Sequence, residues 1–526
     1  MKKNTYLPII FALIFIAGIY VARLGINTNS SETATLNDKT KLESILNIIK
    51  TEYVDSINIK TLVEKVIPEI TKKLDPHTTY IPNKEYANIS EPIHGEFDGI
   101  GVQFNIVKDT VIIVQVIPGG PSEKIGIHAG DKIIAVEDSS ITNIGITNTN
   151  VMNLLKGPKG TEVTISVIRN GHKSPLDFTI VRDKIPLHSI DASYMLSDSV
   201  GYMKISRFAQ TTPDEFITHV TKLKNKHMSS LIIDLRENGG GLLHAAIFIA
   251  NEFLPEKDLI LYTKGKNYPR ENYYADGTGT CKNINVNILI NEYSASASEI
   301  IAGAIQDNDR GTIIGRRSFG KGLVNRDFMF ADSSVLRLTI QKFYTPSGRS
   351  IQKPFNNGRE SYNDELLQRA IHKELSEKDS IHFPDSLQYK TKNGRIVYGG
   401  GGIMPDIFVP IDTSLNTDLY VSLISQNILY NAALSYANTN RKQLKNMNYN
   451  TIISHIQNSE ILELVKQEAQ AQDITYSHEN FTEIHEDILR ITTAYIVRTI
   501  HDEEYFYRVY QKNDKTIQTA LNEFQN

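Results

Sequence analysis

Twice between residues 230 and 310 a mostly apolar run, apolar on both of its faces, leads through a loop with small residues into a helical pattern. Leu231, Ile232, Ile233 and Leu235 run into three glycines and then into apolar residues at helical spacing between residues 242 and 254. Residues 286–290 run into Ser294-Ala-Ser-Ala-Ser298 and then into a helical stretch over about 297–307. A strand with apolar side chains on both of its faces is a strand buried on both faces, as in a sheet covered by helices. Residues 312–314 and 335–340 supply further strands. The alternation predicts an α/β core whose functional groups sit at the C-terminal ends of its strands.

The chain has 526 residues, too many for one compact core. Residues 27–40, rich in Asn, Ser and Thr, read as a linker. Leu42, Ile45, Leu46 and Ile49, then Leu62, Val63, Val66 and Ile70, recur at helical spacing and predict two short helices before Leu74-Asp-Pro-His77. Between residues 95 and 182 the texture changes to short β-rich runs, with turns at Gly130-Asp131 and Asn170-Gly171. Residues 355–400 are polar and end in four glycines, which predicts an insertion or a flexible loop. Residues 411–526 read as helical, with no chemistry in their pattern. The expected division is 1–30 for an export segment, 31–94 helical, 95–183 the β module, 184–410 the α/β core and 411–526 helical.

Ser296 stands at the second strand-to-helix junction, where unpaired N–H groups and the helix dipole favour a developing oxyanion. The same position has a plainer reading: Ser296-x-x-Glu299 is a capping box, with Ser296 as an N-cap. Three features weigh for chemistry. The neighbours of Ser296 are small; Asp234-Leu-Arg-Glu-Asn-Gly-Gly-Gly241 lets backbone amides approach a ligand; and Lys321 lies between two glycines in Ser318-Phe-Gly-Lys-Gly322. A lysine acts as a base only when neutral, so it must be desolvated; otherwise Lys321 is an exposed loop lysine.

Other chemistries lack their signatures. There is no G-x-S-x-G and no H-E-x-x-H, and Gly157-Pro-Lys-Gly-Thr161 has the wrong spacing for a phosphate loop. His244, just past the glycines, is the alternative base, although a helix-surface or core histidine is its ordinary reading. Cys281 is the one cysteine, in a polar stretch without a nearby histidine, so it reads as a bystander thiol. Net charge is −4, with 56 basic and 60 acidic residues, and no basic run is present to hold nucleic acid.

Taken in order, Leu74-Asp-Pro-His77, the 234–241 loop, Ser294–Glu299, Phe319-Gly-Lys-Gly322, Tyr344-Thr-Pro-Ser-Gly-Arg-Ser350 and Gly402-Ile-Met-Pro-Asp406 resemble the C-terminal processing peptidases, or tail-specific proteases. The resemblance implies a serine endopeptidase on a crotonase-like α/β core, with a PDZ module placed between an N-terminal helical region and that core. It implies a Ser–Lys dyad of Ser296 and Lys321, oxyanion donors at Gly240 and Ala297, and no cofactor or metal. Many members carry glutamine four residues after the lysine, where it orients the amine; here that position is Asn325, one methylene shorter. Gly99-Ile100-Gly101-Val102 matches the carboxylate-binding loop of PDZ domains, and His128-Ala-Gly-Asp-Lys-Ile-Ile134 their second typical stretch. Substrates with apolar C-termini are therefore implied, and a homo-oligomer is an expectation of the same kind. A catalytically silent PDZ scaffold is the alternative from another class; an esterase or acyl transferase on a related core is a third.

Met1-Lys-Lys3 and the apolar run over residues 6–22 read as an export signal. About 17 apolar residues reach the short limit for a span, so an uncleaved anchor in the inner membrane with a periplasmic body is expected, and a cleaved signal peptide is the other outcome.

Overall fold

The computed structural model describes residues 38–107, 109–169, 171–356, 358–457 and 459–525. The apolar run over residues 6–22 and most of the predicted linker lie outside the described residues. The chain divides into a unit up to Ile70 and a unit from Thr71 onward. The first contains the two expected helices, Asp38–Glu52 and Ile59–Thr71, the latter ending on the first residue of the second unit. Among the described residues no helix is long and apolar enough to cross a membrane.

Within the second unit, strands Glu96–Gly99 and Asp183–Pro186 pair antiparallel, so the chain enters and leaves the β module along one ribbon. The module is a six-stranded antiparallel sheet, with Val102–Val107 at one edge and Leu176–Val181 at the other. Strand Glu162–Ile168 shows why it forms: Val163, Ile165 and Val167 alternate inward with no exposed surface, while Thr164 and Ser166 point away. Helix Asn148–Leu155 starts on a reciprocal cap between Thr147 and Asn150 and buries Val151 and Leu155 in that core.

The core sheet has six strands in the order Ile190–Met195, Val200–Ile205, Ser230–Asp234, Asn285–Ile290, Thr312–Gly315 and Ile407–Phe408; the first pair is antiparallel and the rest are parallel. Leu231, Ile233, Leu235, Ile288, Ile290 and Ile313 face helices Leu243–Phe253 and Ala297–Asp307. Ile232, Leu289 and Ile314 face the other way, against Ile517 and Ala520 of helix Lys515–Glu523. The runs carry apolar residues on both faces because each face has its own cover. A second sheet builds on Val335–Tyr344, which pairs with Thr79–Ile81, Leu259–Lys264 and Leu323–Met329.

The expectation of a flexible loop over 355–400 is corrected. This stretch contains helix Gly358–Ile371 and a hairpin of strands Gln388–Lys390 and Ile396–Tyr398. Its polar residues are partners rather than loose surface: half-buried Glu365 accepts from buried Lys353 Nζ and Arg369 Nε, and half-buried Glu374 pairs with Arg317. Residues 411–526 are helical as expected, and they reach the core sheet through Asp514, Ile517 and Ala520.

Candidate active site

Ser296 is the N-cap of helix Ala297–Asp307 and carries φ 55° and ψ −110°, an unfavourable backbone for a side chain. Such a residue costs on the order of 1–3 kcal/mol and persists only where its surroundings impose it. Here the Gly-rich loop imposes it. A Cβ on Gly240 would lie 2.7 Å from Ala295 O, 2.8 Å from Ser296 Cβ and 3.0 Å from Ala297 N, so only glycine admits this approach. Gly241, at φ 147°, is pressed harder still, a Cβ there lying 2.1 Å from Phe208 O.

The two strand-to-helix junctions are stitched together by side chains. Asn238 Nδ2 donates to Ile205 O, while Asn238 O accepts from Ala295 N and from Ser298 Oγ. Ser294 Oγ donates to Leu235 O at 2.8 Å. Asn291 and Glu237 exchange hydrogen bonds at 2.6 and 3.0 Å. Ser296, Ala297 and Gly240 are thereby brought together. The Gly240 N–H, the expected oxyanion donor, donates to Asn238 Oδ1 at 2.9 Å in this structure. The Ala297 amide donates to no described residue.

Glu299 connects the serine to the lysine. It is fully buried, and its carboxylate accepts four hydrogen bonds. Oε2 takes the Ser296 and Lys321 amides, each at 2.8 Å; Oε1 takes the Gly320 amide at 2.7 Å and the Ser318 hydroxyl at 2.5 Å. The backbone nitrogens of Ser296 and Lys321 therefore lie at most twice 2.8 Å apart. Burial pushes the Glu299 carboxyl above its ordinary range, against the pull of these four donors.

The Lys321 side chain is half-buried and forms no hydrogen bond or ion pair with any described residue. Its ammonium is held below the usual lysine range chiefly by desolvation and then by Arg337, against the opposing fields of Glu299 and Asp75. Asn325 points elsewhere: Nδ2 donates to Thr339 Oγ1 at 3.1 Å and to His77 O at 3.3 Å, and the expected bond to the amine is not made. Thr339 Oγ1 donates in turn to Asp75, whose carboxylate also caps the His77 and Thr78 amides. His77 Nε2 lies 2.7 Å from Tyr362 Oη. Desolvation and then Lys321 lower its pKa to about 4. His244 is exposed on helix Leu243–Phe253, and Cys281 is buried with its thiol pushed up by desolvation. Among the described residues no cluster could hold a metal ion.

In the β module Ile100 and Gly101 fall between the ribbon and the edge strand Val102–Val107. Ile100 O accepts from Ser122 N and Oγ, and Gly101 O from Ile117 N. Neither Ile100 nor Gly101 donates its amide to a described residue. Gly101 holds φ 77°, and Ile100 is buried in the module core.

Comparison with known proteins matches this layout. A PDZ domain model matches residues 99–180, a model described as peptidase family S41 matches residues 199–358, and a family of unknown function matches residues 419–502. A carboxy-terminal-processing protease of Bartonella bacilliformis is 32% identical over 351 residues, covering 65% of this chain and 80% of that protein. The chain belongs to peptidase family S41. A probable CtpA-like serine protease of Staphylococcus aureus is 31% identical to this S41 chain over 360 residues, covering 67% of it and 71% of that protein. Among solved structures, a photosystem II D1 C-terminal processing protease is 22% identical, covers 70% of this chain and 92% of its own, and has a TM-score of 0.35. The protein is a serine peptidase of the carboxy-terminal-processing kind, with a PDZ module and helical flanking regions.

For this S41 peptidase, sequence reasoning had seen Glu299 only as a capping partner. The signal that would have found more was Ser318-Phe-Gly-Lys-Gly322: two glycine-flanked amides with no strand to pair with need an acceptor. The surroundings of Lys321, from Asp75, His77 and Arg337, come from segments far away in the chain and had no local signature.

Proposed function

We propose that this S41 peptidase is a Ser–Lys endopeptidase that trims or degrades exported proteins from near their C-termini. Lys321 Nζ, neutral when desolvated, takes the proton of Ser296 Oγ. The oxygen attacks the scissile carbonyl carbon, and the tetrahedral intermediate collapses to an acyl-enzyme as the departing amine takes the proton back from Lys321. Water then attacks the ester, with Lys321 accepting its proton; the bond to Ser296 Oγ breaks, the serine oxygen takes that proton back from Lys321, and the product leaves with a new C-terminal carboxyl group. Ala297 and Gly240 are the oxyanion donors in this reading, the Gly240 amide exchanging Asn238 Oδ1 for the developing charge. The observation that carries the reading is the single Glu299 oxygen that holds both the Ser296 and the Lys321 amides.

The PDZ module supplies selection. Val102–Val107 is an edge strand, so a peptide can add to it, with its terminal carboxylate at the Ile100 and Gly101 amides. Export and anchoring in the inner membrane, with the catalytic body in the periplasm, rest on Met1-Lys-Lys3 and the apolar run over residues 6–22.

The test is hydrolysis of a quenched fluorogenic peptide with an apolar C-terminus by the full-length chain. Ser296→Ala and Lys321→Ala are each expected to abolish cleavage, and amidating the peptide's C-terminus to raise KM. Cleavage that survives Lys321→Ala excludes the dyad and turns attention to His77 and His244. No hydrolysis by the unmodified chain of any unfolded substrate favours the scaffold reading.

A further inference from the structure

Helix Gly358–Ile371, within the polar insertion, lies over the loop that delivers Lys321. Arg369 on this helix is 2% exposed, and its guanidinium reaches four acceptors. Nη1 donates to Arg317 O at 3.3 Å and Ser318 O at 2.8 Å, Nη2 to Phe319 O at 3.2 Å, and Nε to Glu365 Oε1 at 2.6 Å. The three carbonyls are consecutive and end two residues before Lys321.

The amides of the same loop are held separately. Ser318 N donates to Ile403 O, Phe319 N to Ser294 O, Gly320 N and Lys321 N to Glu299, and Gly322 N to Gln352 Oε1. Lys353 completes the wall: its Nζ lies 4.1 Å from the centroids of both the Phe319 and Tyr362 rings and donates to Glu365. Glu299 thus grips the loop by its amides, and Arg369 grips it by its carbonyls.

We propose that Arg369 is a positioning residue for the peptidase reaction, fixing residues 317–319 so that Lys321 is held in line with Ser296 and away from water. Only a planar fork with several donors spans three successive carbonyls; a lysine ammonium is a point charge and cannot. The inference rests on the reading of Lys321 as the base, and the test separates the two.

Full-length Arg369→Lys, Glu365→Gln and Lys321→Ala are compared with the unmodified chain on the fluorogenic peptide across pH. Arg369→Lys is expected to lower kcat roughly 10–100-fold, the cost of a displaced catalytic group, with KM within about twofold. Its acid limb should move to higher pH, because water admitted to the loop favours the charged amine. Glu365→Gln, the milder change, leaves the guanidinium but removes its carboxylate anchor, and should move the limb the same way by less. A Lys321→Ala enzyme without activity, together with unmoved limbs and kcat in whichever of the two other variants folds, overturns the inference alone. An active Lys321→Ala overturns both.

Discussion

Glu299→Gln is the sharpest test of how this site is assembled. The carboxylate accepts two donors on each oxygen, the Ser296 and Lys321 amides on Oε2 and the Gly320 amide and Ser318 hydroxyl on Oε1. Glutamine has the same shape but presents an NH2 on one side. With the NH2 on the Oε2 side two buried amides face a donor; on the Oε1 side the Gly320 amide does, while the Ser318 hydroxyl can turn and accept. Hydrogen bonds to a charged group contribute about 1.5–3 kcal/mol each, so losing one or two costs roughly 1.5–6 kcal/mol. Removing the charge also relieves the desolvation that pushes this carboxyl upward, which favours the lower part of that range, about 2 kcal/mol. That is a large part of the roughly 5–15 kcal/mol that holds a domain together. The loss falls on the joint between the proposed nucleophile and base, so kcat should drop on the order of 100-fold or more at unchanged KM. Urea unfolding gives the stability change as a shift in midpoint at constant slope, and peptide hydrolysis gives the kinetics. A folded variant within about 1 kcal/mol of the parent and with unaltered kcat would refute the assignment of Glu299 as the joint.

Three further outcomes follow from the geometry. Asn325→Ala removes the donor to Thr339 and to His77 O and no bond to Lys321, so kcat should fall less than about tenfold, one hydrogen bond's worth; abolition of activity would show that Asn325 acts on the amine directly. His77 has its pKa depressed to about 4 from 6.5, so the unfolded chain takes up its proton first as pH falls. Stability should therefore drop between about pH 6.5 and 4, and His77→Gln should flatten that part of a pH series of urea midpoints. Asp514 pairs with Arg236 at 2.7 Å and caps helix Lys515–Glu523 through the Thr516 and Ile517 amides. Asp514→Asn keeps a capping oxygen and loses the charge, so Asp514→Ala should be the more destabilising by about 1 kcal/mol; equal urea midpoints would dissociate the cap from the ion pair.

Much of this was legible in residues 231–241 and 286–299, where strand, small residues and helix follow one another locally. The run from Leu231 to Leu235 reported a sheet covered on both faces, although nothing in it named Ile517 and Ala520 as the second cover. Arg369 was invisible for a physical reason: an arginine on a polar helix looks solvent-facing until the carbonyls it satisfies, here 50 to 52 residues away, are seen. Polar composition over 355–400 predicts a loose segment, whereas Glu365 and Glu374 there pair with Lys353, Arg369 and Arg317. Asn325 was assigned by its place in a motif, and the direction of its amide depends on Thr339 across the adjacent strand.

The cover supplied by helix Lys515–Glu523 also fixes an order of events during synthesis. Arg236 waits 278 residues for its partner Asp514, and at roughly 5–20 residues per second that interval lasts tens of seconds. For most of it, once residue 314 is made, Ile232, Leu289 and Ile314 lack Ile517 and Ala520, while both strand-to-helix junctions already exist as nascent chain. The loops at the two junctions are braced by early-made residues, Asn238, Ser294 and Glu299, so it is the opposite face of the sheet that stays open until the last helix is made.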